Sequence, residues 1–253
     1  DTADVGRAWL RYLPAGVTYT AERAAYQVLL AETSMGFTFG APADFDLGRC
    51  ADNEFNDWIG AQIRADMYGW VCAGNPSLAS DLARRDAELS HRGEGVYGAM
   101  FVAALGAAIP EAGSLEAAVA RALEFIPGDS DCAGAVRFGR ELAGSGEGAE
   151  KLRAQYGNLS PVHTVNNLGL VVWALLSHPD DFGAAIGEAV TAGWDTDCNG
   201  ATVGGLWGLQ GKPIPEQWTA PWQGRVLTQL AGTGELALGD LVDRTVAVAE
   251  KLA

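Results

Sequence analysis

The stretch Asp195-Thr-Asp-Cys-Asn-Gly200, followed by Ala201-Thr-Val-Gly-Gly-Leu-Trp-Gly-Leu209, carries the most information about the fold of this chain. The second part is apolar and rich in small residues, which is typical of a helix that is buried on several sides. Asp195 and Asp197 therefore stand at the N-terminal end of a predicted buried helix. Such a helix needs other elements packed around it, and the helices predicted along the rest of the chain indicate an all-α protein.

The paired aspartates have two interpretations. Asp is a preferred N-cap residue, and a single Asp is enough to cap a helix. Carboxylate oxygens are also the ligands that magnesium, manganese and calcium prefer, and two of them flanking Thr196 exceed what a cap requires. Because short acidic motifs often match by chance, the spacing alone leaves both interpretations open.

Helical periodicity extends over most of the remaining chain, and no segment shows the sustained alternation that is typical of a strand. Residues 35–56 differ, because their glycines, aspartates and Pro42 predict a long irregular loop. No clean linker interrupts the chain, so residues 1–253 are predicted to form one domain, a single compact multi-helix bundle. The predicted helices cover residues 5–13, 21–31, 59–72, 77–89, 96–109, 114–127, 131–142, 148–156, 164–176, 182–192 and 236–252.

The composition restricts the classes of partner. The chain has 253 residues, of which 48% are apolar and 19% charged, and its net charge is -15. Such a surface repels phosphate backbones and anionic lipids, so we expect neither nucleic acid nor a membrane as a partner. The apolar run 99–109 is too short to span a bilayer. A small anionic substrate stays compatible with the charge, because an ion or an Arg can set the local field of a cleft.

The cysteines indicate a reducing compartment. Cys50, Cys72, Cys132 and Cys198 form no Cys-x-x-Cys pair, so the sequence does not predict a zinc site. The chain is also long for a disulfide-stabilised secreted domain, and no signal peptide is visible. We therefore predict reduced thiols and a cytoplasmic location.

Four blocks of sequence resemble the ADP-ribosylglycohydrolase family. They occur in the family's order between Trp58 and Pro221, which makes the resemblance much stronger than any single motif. The blocks are the metal motif at Gly193–Gly205, the substrate loop and following helix at Trp58–Asp66, the helix from Asn75 that ends in Ser90-His91, and the next helix at Gly95–Ala104.

The resemblance implies a fold and an activity. The fold is an all-α orthogonal helix bundle, and the activity is magnesium-dependent hydrolysis of an N- or O-glycosidic ADP-ribosyl bond. Magnesium or manganese is the implied cofactor, with two ions in a complete family site. The implied substrate is an ADP-ribosylated protein or a small ADP-ribosyl or ribosyl compound. By position, the metal residues are Asp195, Asp197 and Cys198, and the substrate-binding residues are Gly60, Gln62, Arg64, His91, Tyr97 and Asn166.

Several of these assignments have a structural alternative. Arg64 fits an ion pair with Asp66 or another acid as well as a pyrophosphate contact. His91 gains from the dipole of the helix that it ends, whatever its role. Tyr97 fits packing on the helix pair as well as a place at a helix start that receives an anion. Asn166 either caps the helix that follows or reaches a ribose.

The sequence departs from the family pattern in two places. The family's other metal motif, a Thr-Asp-Asp-Thr cluster, precedes all of these blocks, and Asp1-Thr-Ala-Asp4 resembles instead the loop before a later helix. We therefore expect a fragment, a processed form or one half of a split protein, without the carboxylate that serves the family as general base. Cys198 also replaces a Thr, and a thiol is a poor magnesium ligand. Both departures favour the alternative function, a catalytically inactive scaffold that acts as a binding or structural protein.

Overall fold

The computed structural model describes residues 1–252, and it is all-α, as the sequence predicts. These residues form fourteen α-helices and one small antiparallel hairpin, in which Val226 pairs with Leu236. The helices are α1 Thr2–Tyr12, α2 Thr20–Glu32, α3 Met35–Thr38, α4 Asp66–Val71, α5 Pro76–Ala87, α6 Gly93–Ala108, α7 Leu115–Ala122, α8 Asp131–Glu141, α9 Gly148–Tyr156, α10 Thr164–Ser177, α11 Phe182–Ala192, α12 Thr196–Gly208, α13 Glu216–Thr219 and α14 Leu238–Leu252, and the strands are β1 Arg225–Leu227 and β2 Glu235–Ala237. Short 3-10 helices cover Ala15–Val17, Leu47–Ala51, Gln62–Arg64, Ile109–Glu111, Leu123–Phe125 and Ala220–Trp222.

Helix α6 lies at the centre of the larger core. It is apolar on nearly every side, and α4, α5, α7, α8 and α10 pack around it. Together with the 3-10 turn that follows, it is a 19-residue helix, long and apolar enough to cross a membrane by length and composition. The argument that the apolar runs are too short is therefore wrong for this helix. Its most apolar window is 72% buried inside the protein, which is the burial of a core helix.

Glycine allows α4 to cross α6 at close range. A Cβ added at Gly69 would lie 2.9 Å from the carbonyl oxygen of Ala103 and 2.9 Å from Cα of Gly106. Real Cβ atoms do not approach backbone so closely, so only glycine fits at this crossing. The crossing fixes where α4 begins, and the turn before α4 carries part of the candidate site.

A second, smaller core joins the N-terminal helices to the rest. Trp9 of α1 and Tyr26 and Leu29 of α2 are buried together with Leu89, which follows α5. The Tyr26 hydroxyl donates hydrogen bonds to the carbonyl oxygens of Trp9 and Leu13, at 3.2 and 2.9 Å. This small core holds α1 and α2 beside the segment at residues 58–67.

The structure differs from the predicted local structure in four places. Residues 59–72 do not form one helix, because a turn and a 3-10 helix precede α4. Asp1-Thr-Ala-Asp4 is not a loop: Asp1 and Asp4 form a capping box that starts α1. The hairpin β1–β2 was not predicted, since strands of three residues are too short to show alternation. The predicted loop at residues 35–56 also contains α3 and a 3-10 helix.

Candidate functional site

A backbone pairing over a long sequence distance builds one wall of the site. Ile59 N–H donates to the Val162 carbonyl at 2.9 Å, and Trp58 pairs with His163 in an isolated bridge. The Thr164 hydroxyl adds a hydrogen bond of 2.9 Å to the Trp58 carbonyl. The turn before α4 is therefore fixed against the start of α10, and it presents Trp58, Ile59 and Gly60 to one cleft.

This cleft has a volume of about 910 Å³ and three walls. Helices α1 and α2 with their connection form the first, the segment 58–67 forms the second, and the start of α12 forms the third. Most of the lining is aromatic or aliphatic, while carboxylates occupy two places. The residues that matter below are Trp9, Tyr12, Tyr19, Glu22, Trp58, Ile59, Gly60, Arg64, Val162, Asp195, Asp197 and Cys198.

The start of α12 brings three potential ligand atoms together. One carboxylate oxygen each of Asp195 and Asp197 and the sulfur of Cys198 lie within 4.8 Å of one another. Asp195 occupies the N-cap position, yet its side chain accepts no capping hydrogen bond of normal geometry within residues 1–252. The prediction that the two carboxylates reach one site is confirmed, and the Asp195 carboxylate has only a weak capping contact, with the Cys198 amide.

The electrostatics of this group distinguish the carboxylates from the thiol. Burial raises the pKa of Asp195, and the adjacent Asp197 carboxylate adds to the rise, while the nearby Cys198 thiol and amide oppose it. Burial and the two carboxylates also raise the pKa of Cys198, so the thiol is neutral at pH 7. Two hard carboxylates fit magnesium or manganese, and a neutral thiol adds little to such a donor set.

Arg64 forms an ion-pair network, as its structural alternative predicts, although not with Asp66. Its guanidinium donates to Asp86 at 2.6 Å and to Glu22 at 2.5 Å. Further hydrogen bonds of 3.0 Å reach the Gly60 carbonyl and the Ser90 hydroxyl. Arg64 lines the cleft, but its donors are already engaged by protein acceptors.

Glu22 is a cleft residue that the sequence did not reveal. Its side chain is 17% exposed and lies against Gly60, where an added Cβ would lie 2.8 Å from its Cδ. Glycine at position 60 therefore makes room for this carboxylate. A Glu in the first turn of a helix is so common that the sequence offers no signal for its role.

Three predicted substrate residues lie behind the cleft wall. The prediction that Gln62 and His91 border the cleft is wrong, because both are fully buried: Gln62 lies against Gly98, and His91 Nε2 is 3.8 Å from Glu22 Oε1. Burial and the nearby positive charge of Arg64 lower the pKa of His91. Asn166 is also fully buried and donates to the Ser160 carbonyl at 3.1 Å.

Tyr97 lines a different concavity, together with Arg84 and Phe125. Helix α6 begins at Gly93, so Tyr97 lies in its second turn and not at its N-terminus. The prediction that Tyr97 begins this helix is therefore wrong. Gly60, Arg64, Asp195, Asp197 and Cys198 do border one cleft, and their binding roles stay predictions.

Asn167 is a second residue that the site predictions missed. It is fully buried in the first turn of α10, and its Oδ1 accepts hydrogen bonds from the Asp195 backbone N–H at 3.2 Å and from the Asn199 amide at 2.7 Å. The contact of Asn167 with Asp195 spans 28 residues and cannot be read from spacing.

Comparison with known proteins supports this account of the fold. Comparison with curated proteins gives no significant match. The family model of the ADP-ribosylglycohydrolases matches residues 1–248, nearly the whole chain, including the cleft and the aspartates at the start of α12. The chain therefore belongs to the ADP-ribosylglycohydrolase family.

Proposed function

We propose that the protein is a divalent-metal-dependent hydrolase of an ADP-ribosyl, or related ribosyl, glycosidic bond. The observation that carries this proposal is the convergence of Asp195 and Asp197 at one end of a large cleft. Asp195 makes no capping hydrogen bond of normal geometry and Asp197 lies in the first turn, so capping alone does not account for two carboxylates at one point. Family membership supports glycoside hydrolysis as that task.

Asp195 and Asp197 would hold magnesium or manganese. When bound, such an ion supplies positive charge that polarises ribose hydroxyls and water. The family resemblance implies two ions in a complete site. Asp195 and Asp197 form only one of the two ligand motifs that such a site needs.

The remaining walls support binding of a nucleotide-like substrate. Trp9, Tyr12, Tyr19 and Trp58 offer flat, apolar surfaces that exclude water and suit a planar base. The Glu22 carboxylate, held by Arg64, can accept hydrogen bonds from sugar hydroxyls. These residues would bind and orient the substrate beside the aspartates.

The substrate and the location of the protein are part of the proposal. We propose an ADP-ribosylated protein or a small ADP-ribosyl or ribosyl compound as substrate. We also propose a cytoplasmic location, because all four cysteines are free thiols and three of them are buried, which suits a reducing compartment.

The test combines hydrolysis with metal binding. Purified protein is incubated with peptides that carry ADP-ribose on arginine or on serine, with magnesium, manganese or a chelator, and released ADP-ribose is measured. Manganese binding to the same proteins is measured by calorimetry. We expect weak metal-dependent release, because Asp195 and Asp197 alone surround an ion only in part, and a further loss of about a hundredfold or more in Asp195→Asn and Asp197→Asn, since the ion is worth several kcal/mol in such reactions. Asp129→Asn, an exposed acid on a distant loop, is the matched control.

The outcomes separate the two functions. Hydrolysis that is indifferent to both aspartates would contradict the proposed metal site. Metal binding by neither the parent protein nor the variants, together with no hydrolysis, would favour the inactive scaffold, which the soft sulfur of Cys198 also favours.

A further inference from the structure

The turn that carries the aspartates has an unusual backbone. Helix α11 ends at Ala192 and Asp195 is already the N-cap of α12, so only Gly193 and Trp194 connect the two helices. Both have positive φ, 94° at Gly193 and 59° at Trp194. Glycine tolerates this region, whereas a bulky residue such as Trp adopts it only where its surroundings enforce it.

Asn167, on α10, hydrogen-bonds to the backbone at the end of this turn. Its carbonyl oxygen accepts the Asp195 N–H, which is the first backbone donor after the strained pair. Its amide nitrogen donates to the carbonyl oxygens of Pro161 and His163, at 2.9 and 2.7 Å. One buried side chain therefore satisfies partners on both sides, and it cannot move without leaving buried polar groups unpaired.

Arg153, on α9, hydrogen-bonds to the backbone just before the same turn. Its guanidinium donates to the Ala192 carbonyl at the end of α11, where a cation also complements the helix dipole. The same nitrogen would lie 3.2 Å from a Cβ at Gly193, so the guanidinium packs directly over the turn. The Trp194 side chain packs on the main hydrophobic core, which supports the turn from a third direction.

Asn167 also reaches the opposite wall of the cleft. The carbonyls that it binds flank Val162, which lines the cleft and accepts the Ile59 N–H. The Asn167 amide thus links the backbone at Asp195 to the segment that pairs with the turn before α4. Neither Asn167 nor Arg153 lines the cleft.

We propose that Asn167 and Arg153 are positioning residues that hold the Gly193–Trp194 turn in its strained form, so that the side chains of Asp195 and Asp197 converge on a divalent cation. This inference rests on the proposed metal site and adds what keeps its ligands in place. Residues that orient metal ligands contribute to affinity without touching the ion.

The test measures manganese affinity by calorimetry in the full chain, for Asn167→Ala and Arg153→Ala. Loss of such supporting residues typically lowers metal affinity by about 10- to 100-fold, and we expect this range for Asn167→Ala and a smaller loss for Arg153→Ala. Arg153→Lys keeps a donor and should restore part of the affinity. Asn166→Ala is the comparison variant: it removes a neighbouring buried amide that touches neither α12 nor the turn, and its one contact with the Asn167 side chain is a long hydrogen bond of 3.4 Å.

A second readout needs no metal. In metal-free protein, hydrogen exchange of the peptide 190–200 should be faster in Asn167→Ala and Arg153→Ala than in the parent protein, and unchanged in Asn166→Ala. Arg153 is exposed, so its truncation leaves a folded protein even if Asn167→Ala does not fold.

The outcomes distinguish the inference from the proposed function. If Asp195→Asn abolishes manganese binding but Asn167→Ala and Arg153→Ala bind and exchange like the parent, the positioning role is overturned and the metal site stands. Equal losses in Asn167→Ala and Asn166→Ala would also overturn it, since they would indicate general destabilisation. If Asp195→Asn binds manganese normally, the proposed function fails, and the exchange data alone decide whether the two residues hold the turn.

Discussion

The cleft has two acidic regions that are built in opposite ways. Next to Gly60, Glu22 and Asp86 share the guanidinium of Arg64, so each carboxylate of this region has a cationic partner within the protein. At the start of α12, Asp195 and Asp197 lie together, and within residues 1–252 no Lys, Arg or His forms an ion pair with either one.

The difference indicates where an external cation would gain most. Around Arg64, a further cation would meet acids that are already paired and hydrogen-bonded, so that network mainly supports structure. At the start of α12 the Asp195 and Asp197 carboxylates repel each other, and no cationic side chain within residues 1–252 pairs with them. A bound cation would remove this repulsion and so contribute favourable electrostatic free energy. Unsatisfied electrostatics in a cleft are a better guide to function than charge alone.

Removing Arg64 should have the largest effect on stability. Arg64→Ala leaves Glu22 and Asp86 without their cation in a half-buried setting, and loss of one member of such a pair costs about 3 to 5 kcal/mol. Chemical denaturation measures the change in the free energy of unfolding. Arg84→Ala on α5 is the control, since its pairs with Asp81 and Glu88 are solvent-exposed and should contribute about 1 kcal/mol or less. Equal effects of the two variants would remove the contrast between the regions.

Asp66 extends the comparison to an acid that is neither paired nor in the cleft. Burial against α12 raises its pKa to about 7, and its Oδ1 has no hydrogen-bond partner within residues 1–252. The folded protein therefore holds this proton more tightly than the unfolded chain does. The resulting stabilisation is present at acidic pH and is lost as the pH rises from about 4 to about 7, by up to about 4 kcal/mol.

Denaturation at several pH values tests this expectation. Asp66→Asn should flatten the fall in stability between pH 4 and pH 7 and leave the variant more stable than the parent at pH 8. Asp129→Asn, at an exposed position, should keep the parent profile. A parent profile that rises over this range would contradict the sign.

Filling the space at Gly60 should disturb the paired region alone. In Gly60→Ala the new methyl group overlaps the Glu22 carboxylate, which Arg64 holds in place, and overpacking of this kind costs about 1 to 3 kcal/mol. Manganese affinity should stay unchanged, because the aspartates are not involved. Gly113→Ala, where a Cβ meets no atom within 4 Å, is the control for denaturation and calorimetry. A loss of manganese affinity in Gly60→Ala would show that the two regions are coupled.

The smallest effect on stability is expected at the unpaired region. Asp195→Asn relieves the repulsion from Asp197, so the Tm of the metal-free protein should stay constant or rise by a degree or two. Manganese should raise the Tm of the parent protein and not that of the variant. Thermal denaturation with and without manganese makes the comparison. A clear fall in the Tm of the metal-free variant would indicate that Asp195 has a structural role.

Features with local causes were predictable from the sequence. Helices α9 and α11 begin and end as predicted, because periodicity and flanking residues define both ends. Asp195 and Asp197 were found for the same reason, since their relation is a spacing of two residues. The loop predicted at residues 1–4 was wrong, but the capping box that Asp1 and Asp4 form there also has a local cause.

Features with distant causes were not predictable. The turn before α4 is not helical because its backbone pairs with residues 162–164, which no local pattern reveals. Glu22 acquires its role from Arg64, 42 residues away, and Asn167 from Asp195, 28 residues away. His91 and Gln62 were expected in the cleft because their blocks of sequence border it, but side-chain direction depends on packing against α6.

The pairing of Trp58 with His163 also has a consequence for the order of folding. It joins segments about a hundred residues apart, and closing a loop of that length costs chain entropy before its contacts compensate. Helices such as α5 and α6, which adjoin in sequence and pack together, can form earlier. During refolding, helical circular dichroism should therefore recover before the tryptophan fluorescence of the cleft. During synthesis, the cleft cannot close until α10 has left the ribosome.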